Sequence, residues 1–474
     1  MDDITGTIVR LIKETDLTHR DDLLLEARRA FLDYLASLYR AVGRQKVKAA
    51  AHWAQGFAGK GLMVGQKGTS YPIFAAFYNG FASHYLDLDD AQSNIAGHFS
   101  TVLFSVLLSV MASRQSVKDF LTAYVVGAEL EGLLGSLVNP EHKWQGWHST
   151  GTLGPLGGAC ALAKWAQLDE SKTAQLLSLC GSQSGGLGMQ AGSDGKPLHS
   201  GFAARNAVFA FDLVTAVGLS ARETPFNSQT GWLKTFSAPT GSAEFFESNW
   251  LNKGQILDPG LWMKTHPYCS AAIGGEAACK KLWQQGIRLD DLQKIVFHFP
   301  PGADKALRYE APLTGVEGKF SMEYVAYQVL TQGCVEDRFF DLEKVPESFT
   351  KALPRMQRSR DLPRVPKSVR RIVVTVQTRS GKVITAEESA PPGSPNRPFT
   401  EEDLFEKLAL SKDENWAGKV MEQTRNWPKG TMESLWPLLS VESGGKYDED
   451  KPREKMDGCF DRCRCCRCLG RLRK

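Results

Sequence analysis

The hydrophobic period changes near residue 266 of the 474-residue chain, and a change of period marks a change of architecture. Before it, apolar residues recur at intervals of three and four. Leu24, Ala27, Phe31, Tyr34, Leu35 and Leu38 form one stripe and predict a helix over Leu23–Leu38. Asp21 and Asp22 stand at its start, where the positive end of the helix dipole favours them. Val102–Met111 is apolar on most faces and predicts a helix buried all round. Gly154–Ala166 and Ala203–Ala221 are rich in Ala and Gly, which lets helix axes approach closely. After residue 266, alternation by two takes over. Ile295-Val-Phe-His-Phe299 predicts a strand stopped by Pro300-Pro301, and Ile372–Gln377 with Lys382–Thr385 predicts a hairpin around Ser380-Gly381. Pro391–Pro398 breaks the pattern. Thr400, followed by Glu401, Glu402 and Asp403, then reads as the N-cap of a new helix.

The expectation is an α+β protein in three parts. A large all-α helical domain takes residues 1–265 plus 400–440, a smaller α+β domain takes 266–399, and 441–474 form a basic, Cys-rich tail. Hydrophobic residues at 42% and charged residues at 23% supply a sizeable core and exclude a collagen, a disulfide-dense mini-scaffold or a wholly disordered chain. The most apolar stretch, Thr101–Ala112, falls short of the roughly 20 residues that cross a bilayer, so no membrane span is expected. The acidic start Met1-Asp-Asp-Ile-Thr does not resemble a secretory signal, and the expected location is the cytoplasm.

Charge and cysteine both concentrate at the end. Residues 451–474 carry nine Lys/Arg and three Asp/Glu, a net of +6, which leaves −2 for residues 1–450. No basic stripe belongs to the body, so nucleic acid is not an expected partner. Cys160, Cys180, Cys269, Cys279 and Cys334 are scattered, as small buried hydrophobes of a reducing compartment would be. Cys459, Cys463, Cys465, Cys466 and Cys468 crowd the tail in interlocking C-x-x-C spacings. A metal knuckle and reversible acylation are open readings there, and a disordered terminus is the one adopted.

Common catalytic signatures are missing. There is no His-Glu-x-x-His and no Gly-x-Ser-x-Gly. Gly192-Ser-Asp-Gly-Lys196-Pro197 fails as a phosphate loop, because Gln190 stands where its first Gly belongs and Pro197 where Ser or Thr belongs. Gly151–Gly157 has no strand before it and reads as a small-residue helix contact. Chemistry without metal or nucleotide cofactor is therefore expected. What remains is His and Lys set among Gly, Ser and Thr: His98, His148, Lys196, His199, Lys264 and His266. Such segments suit helix starts lining a cleft that holds an anion.

Read in order, these segments resemble the MmgE/PrpD superfamily, whose members include 2-methylcitrate dehydratase, cis-aconitate decarboxylase and iminodisuccinate epimerase. The matching stretches are Leu86–Asp90, Gly97–Ser100, Gly146–Thr152, Gly195–Asn206, Lys264–Cys269, Lys319–Tyr324, and Pro392–Asn396 with Thr400–Leu404. They cover about residues 5–440. The resemblance implies that the α+β domain is an inserted lid, that the site lies between the two domains, and that the protein is a homodimer without an iron–sulfur cluster. It implies catalytic roles for His98 and His148 as acid/base groups, for Asp87 as an orienting acid and for Tyr324 on the lid. Lys196 and Lys264, with His199 and Cys269 beside them, would bind substrate carboxylates; no metal ligand is implied.

The implied reaction is a cofactor-independent lyase step on a small polycarboxylate. Dehydration of a 2-methylcitrate-like acid is the first reading; epimerisation, or decarboxylation of the cis-aconitate type, is the alternative. A non-catalytic binding protein retaining the fold is the reading from another class. Three departures bear on the subclass. Asp89-Asp90-Ala91 stands where the family commonly has Asp-Asp-Thr, Phe99 where it usually has Pro, and Cys269 where decarboxylase-type members have His.

Overall fold

The computed structural model describes residues 3–236 and 241–440. The Cys-rich tail, with its metal, acylation and disorder readings, lies outside the described residues. Helix accounts for 56% and strand for 9%, an α+β protein whose larger part is helical.

The predicted stripe is buried in a helix that runs from Asp21 to Ala41, longer at both ends than the spacing indicated. Phe31 on that stripe meets the rings of Phe104, Phe120 and Trp427 at centroid distances of 5.1, 5.4 and 5.3 Å. One aromatic knot thus joins three helices of the first half to the C-terminal segment. The helix Ser100–Val110 is buried on every face, as its composition predicts. The expectation that no segment is long and apolar enough to cross a membrane needs correcting. The helix Val117–Val138, 22 residues with a mean hydropathy of 1.3, passes by length and composition. Its interior charges Glu129 and Glu131 broke up the apolar run in the sequence, and 89% of its apolar window is buried inside the protein, so it is a core helix here.

Small residues set the helix crossings around the site. A Cβ on Gly80 would lie 2.8 Å from the Ser200 carbonyl oxygen, and one on Gly201 would lie 2.7 Å from that of Phe77. The helices Pro72–His84 and Gly195–Asp212 therefore touch backbone to backbone. Gly154 and Gly158 face the side-chain methyls of Ala203 and Ala207, which brings Ser149–Ala166 close against Gly195–Asp212. Helical spacing was expected to reach Ala221. The α-helix ends at Asp212, a wider turn follows to Val217, and Gly218 leaves it with φ 77. Gly takes this left-handed conformation without strain and so ends the helix before the last Ala-rich residues.

The β-rich part builds one four-stranded sheet in the order Met356–Ser359, Leu292–His298, Val373–Thr378, Val383–Glu387. The first pair is parallel and the others antiparallel. In Val373–Thr378, Val374 and Val376 point into a second buried cluster with Ile295, Phe297, Leu282 and Val325, while the alternate residues are less buried. The first apolar cluster runs from Ile4 to Met263 and resumes at Phe399–Leu439. Thr400 caps the returning helix Glu401–Ser411 as read: its side chain accepts from the Asp403 N–H, and Asp403 accepts from the Thr400 N–H. Between the clusters, Ala91–Gln92 pairs antiparallel with Leu261–Trp262, which ties the acid-rich loop to the segment carrying Lys264.

Among the described cysteines, Cys160, Cys180 and Cys279 are buried as expected. Cys269 and Cys334 are only partly buried.

Candidate active site

The helix Pro72–His84 stops at His84, and the chain turns through Asp87, whose φ of 58 lies in the left-handed region. Asp tolerates that conformation better than most residues, and the turn aims its carboxylate inward. Asp87 Oδ1 lies 3.2 Å from Lys196 Nζ, 3.1 Å from Lys264 Nζ and 3.5 Å from His98 Nε2. Lys264 Nζ also donates to the Asp87 carbonyl oxygen. All four residues are buried. Burial by itself would raise the carboxyl pKa, but Lys196 and Lys264, then His98 and His84, reverse this and hold it far below the usual carboxylate range.

Asp89 organises two imidazoles. His84 Nδ1 lies 2.9 and 3.0 Å from its two oxygens, and His98 Nδ1 lies 3.2 Å from Oδ2. His98 Nδ1 also meets the Asp90 carbonyl. A carboxylate and a carbonyl only accept, so both Nδ1 atoms carry hydrogen. The Nε2 atom of His84 is then free to accept from the Lys196 ammonium at 2.9 Å. Burial pushes the His84 pKa down to about 3; Asp89 opposes this, while Lys196 and His98 add to it. Asp89, although buried, is held well below the usual range by the two imidazoles.

His148 and His199 extend the row. Their Nδ1 atoms are 2.9 Å apart, so one donates to the other. Ring centroids step from His98 to His84 at 4.4 Å, from His84 to His148 at 6.2 Å, and from His148 to His199 at 5.1 Å. His148 precedes the helix Ser149–Ala166, and its N–H is fixed by the Gly186 carbonyl at 3.0 Å. Burial, then Lys196 and the other imidazoles, lowers the His148 pKa well below the ordinary value; burial and Lys196 take His199 down to about 4. His84, His148 and His199 are therefore neutral at neutral pH. A cavity of about 180 Å³ opens beside His199, lined also by Gly185, Gly186, Arg205 and Asn206.

Of the residues singled out from the sequence, Asp87, His98, Lys196 and Lys264 meet directly, and His148 and His199 adjoin them. Cys269 lies to one side, half-buried, with its N–H donating to the Lys319 carbonyl at 2.8 Å. Tyr324 stands apart from the cluster. Its hydroxyl donates to the Phe339 carbonyl at 3.0 Å, and its ring packs on Tyr327, Phe340 and Phe349 in the second apolar cluster. It opens the helix Met322–Gln332 on the buried face, where a ring serves packing, and no hydrogen bond joins it to the cluster among the described residues. His84 and Lys319 were missed. His84 is only three residues from Asp87, a signal that proximity to the acids could have supplied; burial lowers the Lys319 pKa to about 8.

By distance, one ligand atom each from His84, Asp87, Asp89 and His98 could surround a metal ion, since these atoms lie within 4.8 Å of one another. The donor set fits this poorly. Asp87 already holds two ammonium groups, and both Nδ1–H groups are committed to Asp89. A divalent ion would sit beside Lys196 and Lys264 at strong mutual repulsion.

The MmgE/PrpD N-terminal domain matches residues 6–243, and the MmgE/PrpD C-terminal domain matches residues 266–414. The chain belongs to the MmgE/PrpD family. Human cis-aconitate decarboxylase is 24% identical over 352 residues, covering 71% of this chain and 72% of the human protein. Mouse cis-aconitate decarboxylase is 23% identical over 350 residues, covering 71% of each. These relatives are decarboxylases, a class of lyase, and the family is of lyase type at that level. Within this MmgE/PrpD chain, Lys264 falls in the link between the two matched stretches and reaches back to Asp87 in the first.

Proposed function

We propose that the protein is a lyase acting on a small polycarboxylate, and that it eliminates water from an alkylcitrate of the 2-methylcitrate type. The observation behind this reading is the buried meeting of Lys196, Lys264, Asp87 and His98. Taking a proton from the carbon next to a carboxylate builds further negative charge on that carboxylate. Fixed ammonium groups in a water-poor site favour that charge far more than mobile water does. An imidazole accepts the proton: His98, through the Nε2 atom left by its Nδ1 contacts, or His148. The C–H electron pair forms the double bond as the C–O bond breaks. The departing hydroxide takes a proton from an acid in the site and leaves as water. His84 and Asp89 act as positioning residues, holding Lys196 and His98 in register.

A second reading is favoured by the two named relatives: decarboxylation of a cis-aconitate-type acid. There the electron pair of the broken C–C bond stays on carbon, and an imidazolium protonates it. Cys269, standing where the family resemblance places a His in decarboxylase-type members, counts against decarboxylation without itself favouring dehydration. Purified protein incubated with 2-methylcitrate, citrate and cis-aconitate separates them. Alkene formation without gas is expected; CO₂ release would move the assignment to decarboxylase, and silence toward every acid would count against a lyase. Removal of residues 451–474 is expected to leave turnover intact; loss on deletion would favour a binding protein that works through its tail.

A homodimer belongs to the same reading. Trp53 and Phe202 are half-exposed and joined through Phe77, at centroid distances of 5.6 and 5.8 Å. With Phe57 and Phe74 they form an aromatic surface of the kind that a second copy would cover.

A further inference from the structure

The acidic turn is held by a second ammonium, and this one comes from the returning C-terminal helix. Lys264 Nζ donates to the Asp87 carbonyl; Lys407 Nζ donates to the next carbonyl, that of Leu88, at 3.0 Å. Lys407 lies on the helix Glu401–Ser411 and also donates to Asp33 Oδ1, on the helix Asp21–Ala41. Lys407, Asp33 and Leu88 are all buried.

Stability gives little reason for this pair. Burial pushes the Asp33 carboxyl pKa up and the Lys407 ammonium pKa down, each opposed by its partner. Asp33 Oδ2 is buried with no hydrogen-bond partner. A buried ion pair with an unsatisfied oxygen loses in hydration about what its attraction returns. Docking of the helix has other supports. Arg28 grips both oxygens of Glu401 at 2.7 and 2.9 Å and the Thr424 carbonyl at 2.8 Å, and Leu404 and Leu408 are buried in the first apolar cluster. What the pair does supply is a fixed donor for the Leu88 carbonyl. Leu88 separates the two carboxylates that organise the site, Asp87 between Lys196 and Lys264 and Asp89 between His84 and His98. The φ of 58 at Asp87 is a conformation that persists where the surroundings hold it. Rotation of the Leu88 peptide would swing both flanking carboxylates.

We propose that Lys407, itself held by Asp33, is a positioning residue: its ammonium pins the Leu88 carbonyl and so fixes the left-handed turn that aims Asp87 and Asp89 into the cluster. The inference rests on the lyase reading and adds to it a residue that acts only through the turn. Misplacing a reacting group by about 1 Å costs on the order of 10²-fold in rate, so a single lost strut is enough to matter.

Three variants of the full-length protein test it, K407M, D33N/K407M and E401Q, with 2-methylcitrate, citrate and cis-aconitate as substrates. K407M leaves Asp33 buried without its cation and is expected to melt earlier, with kcat down by about 10- to 100-fold and KM within about threefold. D33N/K407M removes both charges at nearly unchanged shape; it should regain much of the melting temperature and none of the kcat. E401Q loosens the same helix without touching the turn and should keep kcat within about twofold. An unchanged kcat in K407M, a kcat that returns with stability in the double variant, or an equal loss in E401Q would each overturn the role. A protein that turns over none of these acids would defeat the lyase reading, and the ring N–H proton signals of His84 and His98, assigned by their loss in H84N and H98N, would then decide. Signals that shift in D33N/K407M and stay in E401Q leave the positioning standing; signals unmoved in D33N/K407M overturn it.

Discussion

At the scale of single residues, the site depends on which ring nitrogen carries hydrogen. Asp89 accepts from His84 and His98 together, and this leaves the Nε2 of His84 to accept from Lys196. In Asp89→Asn the amide oxygen can serve one imidazole and the NH₂ cannot accept from the other. One ring must take the opposite tautomer, and kcat is expected to fall by about 10²-fold or more with a smaller change in KM. Steady-state kinetics with the acid that the protein turns over checks this; an unchanged kcat would remove Asp89 from the mechanism. Buried Glu129 gives a second prediction at this scale. Burial raises its pKa to about 7, opposed by the N–H groups of Gln255 and Leu251. The folded protein thus holds this proton more tightly than the unfolded chain does, and stability present below about pH 4.5 is lost as pH rises toward 7. Glu129→Gln does not titrate, so its stability relative to the unaltered protein should improve across that window by up to about 3 kcal/mol, read from denaturant melts at several pH values. Asp87, His98, Lys196 and Lys264 were legible in the sequence because the order of their motifs matched a family. His84 was passed over: its place three residues before Asp87 was the one available signal, and that spacing alone does not fix which way a helix-ending histidine faces.

Among elements, the crossing of Pro72–His84 with Gly195–Asp212 sets where Lys196 stands relative to His84 and Asp87. Gly80 and Gly201 meet backbone oxygens there, which cannot rotate away as a side chain would. Gly201→Ala is expected to cost about 1–3 kcal/mol and to lower turnover as well, because separating the helices moves the lysine. A melt together with a kinetic assay checks it, and full activity at reduced stability would detach the crossing from the site. The richness of these segments in small residues is plain in the amino-acid sequence. Which helices they join is not, since composition gives a propensity to approach and no partner. Tyr324 carries a related ambiguity: a tyrosine at a helix start reads equally well as a site group or as packing, and in the fold the rings of Tyr327, Phe340 and Phe349 surround it.

Over the whole molecule, a helical core and a smaller sheet-bearing core meet at the pairing of Ala91–Gln92 with Leu261–Trp262, where Leu261 belongs to the helical core and Ala91 and Trp262 to the other. The α+β class was legible from the switch of period, as were the hairpin and the Thr400 cap. The relation between the cores was not, because the pairing joins residues some 170 positions apart. The proposed homodimer belongs at this scale. If the surface of Trp53 and Phe202 carries it, the double variant W53E/F202E should run as a monomer in light scattering while keeping its helical circular dichroism. A dimer that survives would place the interface elsewhere. The central claim, that the cluster around Asp87 removes or delivers a proton beside a carboxylate, is open to one direct measurement. Proton NMR in D₂O would follow EDTA-treated protein with 2-methylcitrate, citrate, cis-aconitate and iminodisuccinate. Loss or deuteration of a proton next to a carboxylate in at least one acid is expected, abolished in His98→Asn or in His148→Asn. No exchange in any of them, or exchange that persists undiminished in both variants, would contradict it.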